Sequence, residues 1–184
     1  MIVLASKSPR RKELMKLISV DFITFNSDID EDISYQLPTP LEATRDISLR
    51  KALKAKETYP NDIILSADTI VVLNNEILHK PINEEDAYQI LKKLSNKTHE
   101  VITAYTIINK DKIFTNHVIS YVTFYDLDDS LIHRYIKSGS PLDKAGAYGI
   151  QDKDYQLVKS YEGSYDNIVG FPVKEIKEDL KRMG

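Results

Sequence analysis

The sequence predicts an α/β fold, and three observations carry that prediction. Apolar, β-branched runs of strand length recur along the chain, and stretches whose apolar residues repeat at helical spacing separate them. Three of the helical stretches also open on a capping residue, at Ser8, Thr39 and Asn83, with proline directly after the first two. No internal repeat or low-complexity linker interrupts the pattern, so a single domain over residues 1–184 is expected, long enough to bury a substantial core.

Ile2 to Ala5 reads as the opening strand, and Pro9 to Ile18 as a helix with Leu14, Leu17 and Ile18 on its apolar stripe. Asp21 to Asn26 reads as a second strand and Ser27 to Pro38 as an acidic loop. Thr39-Pro40 starts a helix that runs to about Tyr59. Asp62 to Leu73 is strongly β-forming, and Asn74-Asn75 supplies a tight turn into Glu76 to Leu78. Asn83 caps a helix carrying Ala87, Ile90, Leu91 and Leu94 on one face. His99 to Ile108 and Lys112 to Tyr125 then form a hairpin about Asn109 to Asp111. Asp128 to Ser138 is a short helix, a loop-rich segment with a strand near Tyr155 to Lys159 runs to Gly170, and Val173 to Arg182 closes the chain as a helix.

Composition narrows the chemistry. A net charge of -3 gives no global attraction for nucleic acid, so a phosphate-bearing partner has to be held by local charge or through a metal ion. The absence of cysteine excludes disulfides, thiolate metal sites and cysteine nucleophiles. The apolar run after Met1 is far too short for an export or membrane-spanning segment, which makes a soluble cytoplasmic protein the default expectation. The first glycine is Gly139, which removes both the Walker-type loop and the dinucleotide fingerprint from the first three quarters of the chain. His79, His99, His117 and His133 lack ligand spacing, so a histidine zinc site is not expected.

Chemistry-bearing residues fall in several separate segments. Ser6-Lys7-Ser8-Pro9-Arg10-Arg11 joins a strand to a helix, where Ser8 caps, Arg10 offers a planar fork suited to phosphate oxygens, and Arg11 adds charge. The same residues are equally compatible with an ordinary capped helix carrying solvated basic side chains. Asp68 stands inside an apolar strand pattern, where a carboxylate ends a strand, binds a cation, pairs with a basic group, or serves as a general base. Glu31 is the best second carboxylate, within the acidic loop of Asp28, Asp30 and Asp32, and such hard oxygen donors suit magnesium or manganese. Lys51, Lys80 and Lys144 are either surface charges, the ordinary place of an isolated lysine, or phosphate clamps, and Pro81 favours Lys80 by fixing the chain beside it. The segment Lys144-Ala145-Gly146-Ala147-Tyr148-Gly149 reads either as a structural turn or as backbone passing close to something planar, with Tyr148 facing a base.

In that order, these pieces resemble the Maf family of nucleoside triphosphate pyrophosphatases, once described as septum-formation proteins. The resemblance rests on Ser6-x-Ser8-Pro9-Arg10-Arg11-x-Glu13-Leu14, Glu31, Arg50-Lys51-Ala52, Ala67-Asp68-Thr69 with Val71 and Val72, and Lys80-Pro81. It continues through His99-x-Val101-x-Thr103, Asp143-Lys144 to Gln151, and Gly163-Ser164-Tyr165-x-Asn167-x-Val169-Gly170-x-Pro172. It implies a long mixed β-sheet flanked by helices, with two lobes around a central cleft. It further implies that Asp68 is the catalytic proton acceptor, with Glu31 beside it at a divalent metal cation, Mg2+ or Mn2+. Ser8, Arg10, Lys51 and Lys80 would line the phosphate site, and Arg11 and Lys144 are substrate-binding candidates on the reading of the residues themselves. Arg10, Thr69 and Gln151 together are similar to the branch acting on dTTP and UTP, whereas the branch favouring 7-methyl-GTP carries an acidic residue at the last position.

A nucleoside triphosphate is thus the expected substrate, with no nucleic-acid or membrane partner and a homodimer as an expectation of the resemblance alone. Two other readings stay open: the same hydrolysis aimed at 7-methyl-GTP or another modified nucleotide, and a nucleotide-binding regulator of septum formation. The chain departs from the family pattern at Asn96 and His79, where glycine is common, and at Phe171, where leucine is usual.

Overall fold

The structure, a computed structural model, describes residues 1–184. Its strands are β1 (Ile2–Ala5), β2 (Phe22–Thr24), β3 (Ile63–Leu73), β4 (Glu76–Leu78), β5 (Thr98–Asn109), β6 (Lys112–Phe124) and β7 (Val158–Glu162). Its helices are α1 (Pro9–Met15), α2 (Pro40–Thr58), α3 (Glu84–Leu94), α4 (Asp129–Lys137), α5 (Tyr165–Val169) and α6 (Val173–Met183). The seven strands form one sheet in the order β2-β1-β3-β5-β6-β7, with β4 paired to β3. Its parallel pairs β1–β2 and β1–β3, together with the antiparallel pairs β3–β4 and β6–β7, make the sheet mixed. The chain divides into two compact units, the first Met1–Thr69, Thr103–Val118 and Ser164–Gly184, the second Ile70–Ile102 and Ile119–Gly163.

In the first unit, strand alternation sorts the core into two layers. Leu4, Leu65, Ala67, Tyr105 and Ile107 meet Met15 of α1 together with Phe171, Val173 and Ile176. Their strand neighbours Val3, Ala5, Ile64 and Ile108 point the other way and meet Ala52 and Ala55 of α2. Proline at the first turn and a side-chain cap start both leading helices: Ser8 Oγ accepts from the Arg11 N–H and Thr39 Oγ1 from the Glu42 N–H. Beneath α2 lies a buried hydroxyl ladder, in which Ser48 shares hydrogen bonds with Ser66 and Thr106, and Thr106 with Thr115.

In the second unit, Asn74 and Asn75 both adopt positive φ, as the two-residue turn between β3 and β4 requires. Asn96 is also left-handed, at φ 56, which is the backbone demand that makes glycine common there and asparagine the next best tenant. Gly146 sits at φ +68 with its missing Cβ 2.7 Å from Val71 Cγ2, so a close approach of backbone to β3 explains this glycine. Tyr148 does not face outward: it is 5 % exposed, its ring lies edge-on to Phe124 and His99, and its hydroxyl shares a 2.6 Å hydrogen bond with His99 Nε2. The apolar surroundings of that loop draw the ring into the core.

Most elements fall where the sequence puts them, with four differences. Helix α1 is regular only to Met15, after which the amides of Lys16, Leu17 and Ile18 bond three residues back and tighten the chain. That rotation buries Met15 and leaves Leu17 58 % exposed. Strand β2 keeps only the residues that pair with β1. The late strand is Val158–Glu162 rather than Tyr155–Lys159, because Lys153–Tyr155 form a turn and Gln156 is left-handed before pairing with β6 begins. Ser164 caps the helix α5, which lies within the segment expected to be loop.

His99, 2 % exposed, is held to a pKa of about 3 by burial, which disfavours its charged form. An unfolded chain takes up that proton near pH 6.5, so stability present above 6.5 is lost progressively as pH falls toward 3. An NMR titration of the native imidazole should follow the lower value, and His99→Gln should flatten this part of the acid slope. Titration near 6.5 would contradict the burial account.

Candidate active site

Adjacent residues of a strand face opposite ways, and β3 uses this to divide two polar side chains between its faces. Asp68 follows Ile64 and Ser66 onto the α2 side, and Thr69 follows Leu65 and Ala67 onto the α1 side. The sequence-predicted residues of the first unit gather accordingly into two groups.

On the α2 side, the Lys51 ammonium lies between two carboxylates, 2.8 Å from Glu31 Oε1 and 3.3 Å from Asp68 Oδ1. Asp68 is buried, and its other oxygen accepts a 2.7 Å hydrogen bond from the Thr44 hydroxyl. Thr44 and Lys51 lie seven residues apart on α2, two turns, which places both on the face that meets β3. Glu31 is brought in because the acidic loop is stitched to α2. The Ser27 hydroxyl donates to Lys51 O at 2.7 Å, the Ser34 hydroxyl to Asp46 Oδ2 at 2.7 Å, and Arg50 holds both Ser34 and Asp46. Tyr35 hydrogen-bonds Glu31, and its phenol is pushed above the ordinary tyrosine range, first by burial and then by the charges of Asp68 and Glu31.

On the α1 side, Arg11 turns inward. Its Nε donates to Gly170 O at 2.8 Å, its Nη2 to the Thr69 hydroxyl at 2.9 Å and its Nη1 to the Ser6 hydroxyl at 3.4 Å. Thr69 in turn shares a 2.8 Å hydrogen bond with Thr103. Burial lowers the Arg11 guanidinium below the usual arginine range; Asp68 opposes this, Arg10 adds to it, and Glu31 opposes it. Asp68, Arg10 and Glu31 therefore lie close enough to Arg11 for their charges to act on it. Ser8 is engaged as the helix cap and receives the Arg11 N–H at 3.4 Å.

Lys80, Lys144 and Gln151 belong to the second unit. Lys80 is exposed next to buried Pro81. Lys144 donates to Ser140 O at 2.7 Å, to Ser140 Oγ at 3.0 Å and to Asp143 at 3.0 Å. Gln151 is exposed and folds against Gly149, where an added Cβ would stand 2.8 Å from the Gln151 amide nitrogen. The flanking backbone is pinned: the Tyr135 hydroxyl accepts from the Gly149 N–H at 2.9 Å and donates to Asp152 at 2.7 Å.

Sequence reasoning missed Thr44 and Tyr35. Thr44 was within reach through its spacing from Lys51 on a capped helix, whereas Tyr35 depends on how the acidic loop folds back. The donor set suits a hard divalent cation, because the Glu31 and Asp68 oxygens converge on a single positive centre. No group of three or more acidic or histidine side chains forms a full metal cage. Two carboxylates completed by water and phosphate oxygens are the usual magnesium arrangement.

A family model described as Maf-like protein matches residues 1–183. A dTTP/UTP pyrophosphatase of Dictyoglomus thermophilum is 42% identical over 185 residues, covering 100% of this chain and 96% of that protein. A dTTP/UTP pyrophosphatase of Ruminiclostridium cellulolyticum is 45% identical over 184 residues, covering 99% and 95%. One from Bacillus cereus is 42% identical over 181 residues, covering 98% and 94%.

Because the Arg11 fork joins three separate acceptors, Arg11→Lys should lower unfolding stability by about 1–3 kcal/mol in urea denaturation. Unchanged stability would mean that those hydrogen bonds are not holding α1 in place.

Proposed function

The chain belongs to the Maf family, and from that premise we propose that it hydrolyses nucleoside triphosphates, dTTP and UTP, to a nucleoside monophosphate and pyrophosphate. The observation that carries this reading is the meeting of Glu31, Lys51 and a buried Asp68 at one point. In the reaction a water oxygen forms a bond to the α-phosphorus, the bond from that phosphorus to the oxygen bridging to the β-phosphate breaks, and the bridging oxygen leaves with pyrophosphate.

Asp68 is suited to align the attacking water and accept its proton. The Thr44 hydroxyl fixes one of its oxygens, which restricts the carboxylate to one orientation. Lys51 is suited to meet charge on the phosphates, with Arg10 and Ser8 as further contacts and Arg11 holding α1 through Thr69 and Gly170. For Lys80 a phosphate role is supported by the resemblance alone, and Lys144 is a candidate phosphate clamp by its residue type. Glu31 and Asp68 are the residues to hold a divalent cation, Mg2+ or Mn2+, which when bound would polarise the phosphate oxygens.

Arg10, Thr69 and Gln151 support the pyrimidine preference, since an amide presents one donor and one acceptor to an imide edge. The reading includes a cytoplasmic homodimer working on free nucleotides. The net charge of -3, which gives no general hold on a polyanion, supports free nucleotides over nucleic acid. No helix is long and apolar enough to cross a membrane.

Pyrophosphate release from UTP with magnesium tests the assignment of Asp68. Asp68→Asn should lower kcat by about 10²- to 10⁴-fold while KM changes only a few-fold, and near-normal turnover would remove Asp68 from the chemistry. A panel of dTTP, UTP, 7-methyl-GTP and ITP tests the substrate. The first two should lead, and Gln151→Glu should narrow their advantage by about tenfold or more. Preference for 7-methyl-GTP in the unaltered enzyme would overturn the pyrimidine reading.

A further inference from the structure

We propose that Lys51 is a place-holder for the divalent cation: its ammonium fills the point where Glu31 and Asp68 converge, and the ion takes that point only when a triphosphate draws Lys51 away. This inference rests on the reading that the site serves a metal ion and a nucleoside triphosphate.

The geometry carries it. The Thr44 hydroxyl occupies Asp68 Oδ2 at 2.7 Å, so Oδ1 is the oxygen turned toward Lys51, 3.3 Å away. Glu31 Oε1 lies on the same ammonium at 2.8 Å. The Lys51 side chain is only 16% exposed, and its two ion pairs hold the ammonium over these oxygens. An ammonium and a divalent ion seeking the same oxygen atoms are competitors.

Charge counting gives the consequence. Two carboxylates and one ammonium sum to -1, so the ammonium already offsets half of the negative charge. A divalent ion added beside the ammonium would set three positive charges against two negative ones, with strong repulsion between neighbours a few ångströms apart. A triphosphate relieves the conflict in two ways. It offers the long, flexible Lys51 side chain an anionic partner, and it offers the ion the phosphate oxygens that complete a magnesium shell. Ion and nucleotide should therefore strengthen each other's binding, and by linkage the coupling is reciprocal.

Mn2+ binding to the purified full-length protein, read from the electron paramagnetic resonance of free Mn2+, tests the inference without turnover. In the absence of nucleotide, Lys51→Met should bind Mn2+ at least about tenfold more tightly than the unaltered protein, while Lys51→Arg, which keeps the charge, should stay weak. Lys51→Gln provides a second neutral variant where Lys51→Met does not fold. A UTP analogue with a methylene group between the α- and β-phosphorus should tighten Mn2+ binding more in the unaltered protein than in the neutral variants. Equal or weaker Mn2+ binding by the neutral variants, or equal tightening by the analogue in all proteins, overturns the place-holder role while leaving the metal site standing. No Mn2+ binding to any of these proteins, with UTP hydrolysis persisting in a chelator, overturns the metal reading and this inference with it.

Discussion

A carboxylate placed inside a sheet has to be paired, and the pairing of Asp68 organises everything around it. A lone buried charge costs several kcal/mol, so β3 tolerates Asp68 only because α2 delivers a hydroxyl and an ammonium to its two oxygens. That requirement fixes the rotation of α2 on the sheet, with Thr44 and Lys51 facing inward among Ile47, Ser48, Ala52 and Ala55. It also explains why an acidic loop lies down on a helix. Glu31 finds the far side of the same ammonium, and the Ser34, Asp46 and Arg50 contacts hold the loop there. The neighbouring Thr69, facing the other way, gives Arg11 its anchor, so two consecutive residues of one strand tie the helices on both faces of the first unit.

Much of this was legible from residue order. The capping residues Ser8, Thr39 and Asn83 all cap as expected, and Asn74-Asn75 makes the tight turn, because these motifs depend on local backbone geometry. Asp68 stood out because a charge in an apolar strand has few physical explanations. What could not be read depended on contacts between distant segments. Nothing local distinguishes Arg10 from Arg11, yet only the position of Thr69 and Gly170 in space decides that Arg11 takes the inward place. Tyr148, set between small residues, read equally well as a ring against a ligand, and only the meeting of His99 and Phe124 draws it into the core. The shift of the late strand to Val158–Glu162 likewise follows from the register that β6 offers.

The family membership and this local chemistry support each other without being the same statement. Relatives 42–45% identical over nearly their full length carry the name dTTP/UTP pyrophosphatase, which speaks for the reaction. The first unit adds a physical reason for it: an acid held in one orientation, next to a cation that can leave for a phosphate. On the place-holder proposal Lys51 takes two positions with different partners, carboxylates before substrate arrives and phosphate afterwards.

A crystal structure of the protein with Mn2+ and a UTP analogue that resists α–β cleavage tests this most directly. The account predicts the α-phosphate beside the Asp68 carboxylate, the ion on Glu31 and Asp68, and the Lys51 ammonium moved onto a phosphate oxygen. A triphosphate bound away from Asp68, with Lys51 still seated between the two carboxylates, would contradict it.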